Sequence, residues 1–253
     1  MDKRKKIILI VGALLVLCII GMRNCTKEVG QLFTNILPKA GLHYSHPECY
    51  TTGSVGSTDQ NIRNFQIEWG CGNVDVHYAD VQHIVWKETL ITGKPVDSNL
   101  LHYWVHDNCL DMRFCDSGRT DIRLGKSAEL MKDIEVLLPR DIVLNKVEIV
   151  TINGNNTVEI NANEIEVSTV NGCNTLTVRQ TQKVDMHTVN GNIALFLPDT
   201  AMFEAEIGKV NGVIYNDFPC VKNGNTYVCG DPYDKHVKLH VVNGIIQIHK
   251  IHN

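Results

Sequence analysis

The sequence predicts an all-β protein: a β-solenoid, or β-helix-like stack of short strands, preceded by an N-terminal membrane helix. Three observations predict it. A Val/Ile-Asn-Gly motif recurs five times at a nearly constant interval. From residue 62 onward apolar residues alternate with polar ones in short runs, without a clear ten-residue helical period. Residues 7–22 are an uncharged apolar run behind a basic cluster.

That run reads IILIVGALLVLCIIGM. As a helix it would be about 24 Å long at 1.5 Å per residue, short of the ~30 Å hydrocarbon core. Lys6 and Arg23 can extend it by snorkelling. A cleaved signal peptide is the competing reading, but Ile19-Ile20-Gly21 puts a large residue where cleavage wants a small one. Leu17 before Cys18 and Asn24 before Cys25 suit a lipoprotein signal badly. The reading adopted is a retained single-pass signal-anchor, with residues 1–6 cytoplasmic and the chain after about residue 23 extracytoplasmic. The domain expectation is therefore 1–22 basic segment and anchor, 23–61 linker or stalk, and 62–253 repeat domain.

Composition narrows the function classes. Hydrophobic residues make up 43% of the 253, which excludes wholesale disorder. Twenty-four Lys and Arg stand against 28 Asp and Glu, a net charge of −4. Lys3, Arg4, Lys5 and Lys6 outweigh Asp2, so the remainder carries about −7. An acidic body argues against nucleic-acid binding, which needs clustered cations.

In chain order, residues 23–61 hold Pro38, Pro47, Gly41, Gly53, Gly56 and the polar run TTGSVGSTDQN, as a linker would. An amphipathic turn fits Val29–Leu37. Phe65, Ile67 and Trp69 alternate as a strand, Gly70–Asn73 turns, and Val74 and Val76 resume the alternation. Further strands are expected at Ile84–Trp86, Tyr103–Val105, Leu110–Phe114 and Ile134–Leu138, with one helical turn over 126–132.

The repeat follows. Its motifs are Asn153-Gly154, Asn171-Gly172, Asn190-Gly191, Asn211-Gly212 and Asn243-Gly244, at intervals of 18, 19, 21 and 32. Six and four residues before each Asn stand Val147/Ile149, Ile165/Val167, Val184/Met186, Ala205/Ile207 and Val237/Leu239. A period near 20 residues is that of stacked coils, since a lone coil cannot bury its apolar face. The apolar parity breaks just before each Asn, which places a bend there. Asn-Gly then turns the chain, and successive Asn side chains are expected to stack into an amide ladder. Compared with NGNI in the third unit, NGNNTV and NGCNTL read as two residues longer, so those turns are expected to protrude.

Eight of nine cysteines lie beyond the apolar run. In CVKNGNTYVC a two-residue turn at Gly224-Asn225 sets Cys220 opposite Cys229, near disulfide range. Cys109 and Cys115 cannot pair within one strand, and pairing of Cys25, Cys49, Cys71, Cys109, Cys115 and Cys173 stays open.

Candidate chemistry is thin. His43, His46, Glu48 and Cys49 carry metal-ligand side chains at three-residue spacing, but Pro47 interrupts, and linker polarity is the preferred reading. No metal or cofactor is expected. His102 and His106 flank Trp104 on one strand face; with Trp69, Trp86 and Tyr103 they either cap the open end of the core or stack on sugar rings. Asp75, Asp80, Asp107, Asp111, Asp116 and Asp121 lack the distinctive spacing of a glycosidase pair. His249 and His252 read as a frayed terminus. No catalytic residue is expected and the chain is read as a non-enzyme.

An anchor, a linker and five [VI]-N-G units, punctuated by Leu138-Pro139 and Leu197-Pro198, resemble the bacterial putative-adhesin family over roughly residues 62–253. The resemblance implies a cell-envelope β-repeat domain acting as a structural, adhesion or binding module, and it supplies no site residues to carry over. The implied partners are the membrane, through the N-terminal helix, and an envelope protein or surface glycan, with no nucleic acid. An envelope-stress regulator acting on a membrane partner is the alternative. The cysteine content and the 32-residue last interval depart from the family pattern.

Overall fold

The computed structural model describes residues 42–119 and 129–251, and these form an all-β structure. The strands are β1 (Thr51–Thr52), β2 (Val55–Thr58), β3 (Asn64–Cys71), β4 (Val74–Ala79), β5 (Ile84–Thr92), β6 (His102–His106), β7 (Cys109–Arg113), β8 (Met131–Pro139) and β9 (Leu144–Asn153). They continue with β10 (Asn156–Glu159), β11 (Ala162–Asn171), β12 (Asn174–Thr177), β13 (Lys183–Asn190), β14 (Ile193–Pro198), β15 (Phe203–Asn216), β16 (Val221–Asn223), β17 (Thr226–Cys229) and β18 (Lys235–Ile251).

Each repeat unit is a long strand, a corner at the Asn-Gly, and a shorter strand. The long strands pair in parallel in the order β7-β3-β9-β11-β13-β18-β15 and make layer one. The short strands pair in parallel as β8-β4-β10-β12-β14 and make layer two. β15 and β18 run unbroken through the corner, so their second halves extend layer two. The expected apolar pairs sit in register: Ile165 opposes Val147 and Val184, and Val167 opposes Ile149 and Met186. All six are at most 1% exposed and belong to one core shared with Val158, Leu176 and Leu195 of layer two. Burying each such side chain is worth ~1.5–3 kcal/mol, and only stacking supplies the burial.

Several expectations are corrected. The turns NGNNTV and NGCNTL do not protrude, because Asn156, Asn174 and Ile193 occupy the same register position. Asn156 and Asn174 point inward where an apolar residue stands in the third unit, and that concealed the match. Val170 and Val189, whose place in the repeat suggests one continuous core with Val167, Val184, Met186, Ile193 and Leu195, do not join it. Inward parity runs on through Thr151, Thr169 and Thr188, all 0% exposed, so the residue just before each Asn faces the other way. The last unit in sequence is not the last in space: β18 lies between β13 and β15.

The stack also has a unit that lacks the Asn-Gly motif. β3 and β4 meet at Cys71-Gly72-Asn73, with Cys71 in register with Asn153. Residues between β4 and β9 form β5 to β8, which extend the open end of both layers. β6 pairs antiparallel with β7. β5 pairs antiparallel with β8. The proposed linker boundary at residue 61 falls too late, since β1 and β2 pair with β6 and β5. Met131 and Lys132 begin a strand rather than closing a helical turn. His249 is inside β18, opposite Phe196, with Nδ1 3.0 Å from Asp217 Oδ2, so it is not frayed. The apolar run 7–22, the amphipathic stretch 29–37, Cys25, His252 and Asp121 lie outside the described residues. Among the described residues no helix is long and apolar enough to cross a membrane.

Candidate interaction surface

The corner positions its side chains by stacking. Asn171 Nδ2 donates to Asn153 Oδ1 at 2.8 Å, Asn190 to Asn171 at 2.9 Å, Asn243 to Asn190 at 2.8 Å, and Asn211 to Asn243 at 2.9 Å. This is the expected amide ladder, in the spatial order 153-171-190-243-211. Inside the corner a second ladder is fully buried. Thr151 Oγ1 donates to Asn156 Oδ1 at 2.6 Å. Asn156 Nδ2 donates to Thr169 Oγ1 and Asn174 Oδ1, both at 2.7 Å. Asn174 Nδ2 reaches Thr188 Oγ1 at 2.8 Å. Buried amides need such partners, since an orphaned one costs ~1–3 kcal/mol. Both ladders therefore lock the register between units.

The aromatic expectation divides. Trp69 and Trp86 are 0% exposed and cap the core, and Tyr103 packs on Trp86 with centroids 4.7 Å apart. Trp104 is different. Its strand neighbours Tyr103 and Val105 pack on the core, while Trp104 stacks on His106 at 3.7 Å and 17° on the outer face. Tyr50 stands 5.6 Å from Trp104 and Tyr44 4.5 Å from Tyr50. His102 shares the face but is mostly buried, held at Nδ1 3.1 Å from the Tyr44 hydroxyl and Nε2 3.2 Å from Thr52 Oγ1. Burial holds its pKa below the usual histidine value.

A buried ionic cluster underlies these rings, which sequence reasoning missed because each charge sits at an outward strand position. Arg113 pairs with Glu68 and, at 2.7 Å, with Asp111. The Tyr50 hydroxyl donates to Asp111 at 2.6 Å. Burial pulls the Arg113 pKa down, but Asp111 and Glu68 outweigh it and hold the guanidinium charged. Burial, followed by the Asp111 contact, keeps the Tyr50 phenol protonated well above the usual range. The aromatic group thus has a rigid polar floor.

Cys109 opens β7 beside this cluster. Burial first, then Asp111, pushes its thiol pKa from 9.0 up to about 11. The thiolate is the reactive form, so at pH 9 native Cys109 should alkylate roughly 50-fold more slowly than in the urea-unfolded chain. Peptide-resolved alkylation measures this, and equal rates would contradict the placement.

Cys220 and Cys229 are disulfide-bonded as expected, with Val221 opposite Val228 and the turn at Gly224-Asn225. His46 lies beside Glu48 at 3.5 Å and near Trp104. Among the described residues no three His, Cys, Asp or Glu side chains gather as metal ligands.

No protein-family model matches the chain, and no curated protein matches its sequence. Among solved structures, a "putative adhesin" from Bacteroides fragilis aligns over 77% of this chain and 96% of its own, at 10% identity and a TM-score of 0.30, too slight to argue from. A "putative cell adhesion protein" from Clostridium sporogenes aligns over 80% of this chain and all of its own, with a TM-score of 0.61 and 14% identity. At that identity the likeness speaks to architecture alone: this chain shares the β fold of a structure described as a cell adhesion protein.

Proposed function

We propose that the chain is a membrane-anchored, extracytoplasmic β-solenoid of the adhesion type, a binding module and not an enzyme. Its stacked units present an extended face, and its open end presents Tyr50, Trp104 and His106 to a cell-surface glycan. The observation that carries the reading is the unbroken Asn ladder across five parallel units, together with a ring cluster on a rigid floor at the β6–β7 end of the stack. The flat π-face of Trp104 suits a sugar ring, and its removal should lose ~0.5–1.5 kcal/mol of contact, about 2–12-fold in affinity. The fold likeness to a protein described as a cell adhesion protein supports the same class.

The test uses the full chain in native membranes. It should resist carbonate extraction, its body should be cleaved by external protease, and purified cell-wall glycan should retain it. Trp104→Ala should weaken glycan retention while the Cys220–Cys229 bond and strand content persist. Release by carbonate would remove the anchor from the reading. Absence of glycan retention together with cross-linking to a membrane protein would replace adhesion by the regulatory alternative.

A further inference from the structure

We propose that Asn223 is a modification site, converted without an enzyme to aspartate and isoaspartate at the tip of the β16–β17 hairpin, while the Asn-Gly corners of the stack are shielded from the same chemistry. The chain holds six Asn-Gly pairs, the five repeat motifs and Asn223-Gly224. A glycine nitrogen is open to attack on the preceding side chain because no Cβ stands in the way. In the first step Gly224 N loses its proton to hydroxide and attacks Asn223 Cγ. The N–Cγ bond forms, the Cγ–Nδ2 bond breaks, and Nδ2 takes a proton from water and leaves as ammonia. Water then opens the cyclic imide at either carbonyl, giving aspartate or isoaspartate with one new carboxylate.

Exposure does not separate the six pairs, since Asn171 and Asn190 are exposed as Asn223 is. Hydrogen bonding does. Gly154, Gly172 and Gly191 N donate to Asn171, Asn190 and Asn243 O at 3.0, 2.9 and 3.0 Å, so each nucleophile is held by the next unit. The ladder amides are bonded to one another at 2.8 to 2.9 Å, so cyclisation there must break a rung. Asn223 has neither restraint. Among the described residues its side chain and Gly224 N have no hydrogen-bond partner, and a Cβ at Gly224 would meet nothing within 4 Å. Asn223 stands opposite Thr226 at the end of a two-residue turn, the part of a hairpin that opens most readily.

The product bears on the cover of the stack. β17 pairs with β15 from Phe203 to Glu206, and Asn225 O accepts from Ile207 N at 2.9 Å. Isoaspartate adds one main-chain methylene to a turn whose length sets the register of both arms. The Cys220–Cys229 bond keeps those arms tied, so the cover loosens without leaving the edge of β15.

The experiment ages the full chain in native buffer at mildly alkaline pH, digests it in acid, and follows deamidation of each Asn-Gly peptide by mass spectrometry. Asn223 should react at least about tenfold faster than Asn153, Asn171 and Asn190, which react only through local opening. In urea all six pairs should react at comparable rates. In the aged protein, amide exchange over 203–207 and 221–229 should quicken in the isoaspartate fraction while 162–171 is unchanged. Equal native rates at Asn223 and the three corners overturn the proposal, as does a spread that persists in urea, which would place its cause in sequence. Unaltered exchange over 203–207 overturns the effect on the cover.

Discussion

Gly191→Val is expected to lower stability by about 2–6 kcal/mol, from backbone strain of ~1–3 kcal/mol and overpacking of ~1–3 kcal/mol. Gly191 has φ +150°, outside the range of a β-branched residue. A Cβ built on it would overlap the backbone carbonyl of Gly172 in the unit beside it. That carbonyl cannot retreat, because Gly172 N is bonded to Asn190 O at 2.9 Å and Gly191 N to Asn243 O at 3.0 Å. Making room means parting two units at the corner, which also stretches the Asn171–Asn190 rung of the ladder. For a domain of this size the thermal midpoint should fall by roughly 5–20 °C. Gly224→Ala is the control. Gly224 also has positive φ, at +60°, but a Cβ there meets nothing within 4 Å, so the cost should stay near ~1–2 kcal/mol. Thermal unfolding of both variants decides it. Similar midpoints would mean that the corner is a tolerant turn and that the stack does not depend on close approach of its glycines.

The same corner shows why part of the architecture was legible and part was not. The interval between Asn-Gly motifs carries the unit length, and the flanking apolar pairs carry the inward parity of the long strands, so long-strand register, ladder and hairpin could be read from residues, whereas short-strand register could not. Spatial order could not. β15 and β18 carry the same Val-Asn-Gly, and nothing in a single sequence says which lies against β13. The chain passes to the edge strand, reverses through the β16–β17 hairpin, and only then fills the gap. Cys71-Gly72-Asn73 escaped because Cys stands where the ladder has Asn; the aligned signal was the following Asn73-Val74, which matches Asn155-Asn156 in register. Asn156 and Asn174 escaped because a buried amide is indistinguishable from a turn residue until its Thr partners are in place. For the candidate surface, Trp104 and His106 were readable as one face, whereas Tyr44 and Tyr50 reach it from a segment read as linker.

Lys132→Met is expected to destabilise by about 3–5 kcal/mol, the usual consequence of stripping one partner from a buried ion pair. Lys132 and Glu88 are ion-paired with side chains 0% and 1% exposed. Lys132 Nζ also donates to Asn99 O at 2.6 Å and sits 5.1 and 4.8 Å from the Trp69 and Phe114 ring centroids. Glu88 Oε2 accepts from Ser54 Oγ at 2.7 Å and Leu101 N at 3.1 Å. The pair thus ties the cap strands to the core at the end where the ring cluster stands. Removing the cation leaves a carboxylate with no counter-charge. Adding Glu88→Gln should recover part of the loss, because the amide oxygen still accepts from Ser54 and Leu101; a coupling of about 1–3 kcal/mol is the expected range. Burial, only partly opposed by Glu88, lowers the Lys132 pKa from 10.5 to about 8. Between those values the unfolded chain binds more protons than the folded one, so this residue's contribution to stability rises with pH. Urea midpoints at pH 7 and pH 9.5 should therefore move upward in wild type relative to Lys132→Met, a comparison in which Cys109 and the tyrosines cancel. A double variant no more stable than Lys132→Met, with parallel pH profiles, would show that the ammonium is solvated in solution and that the cap is held by its rings alone.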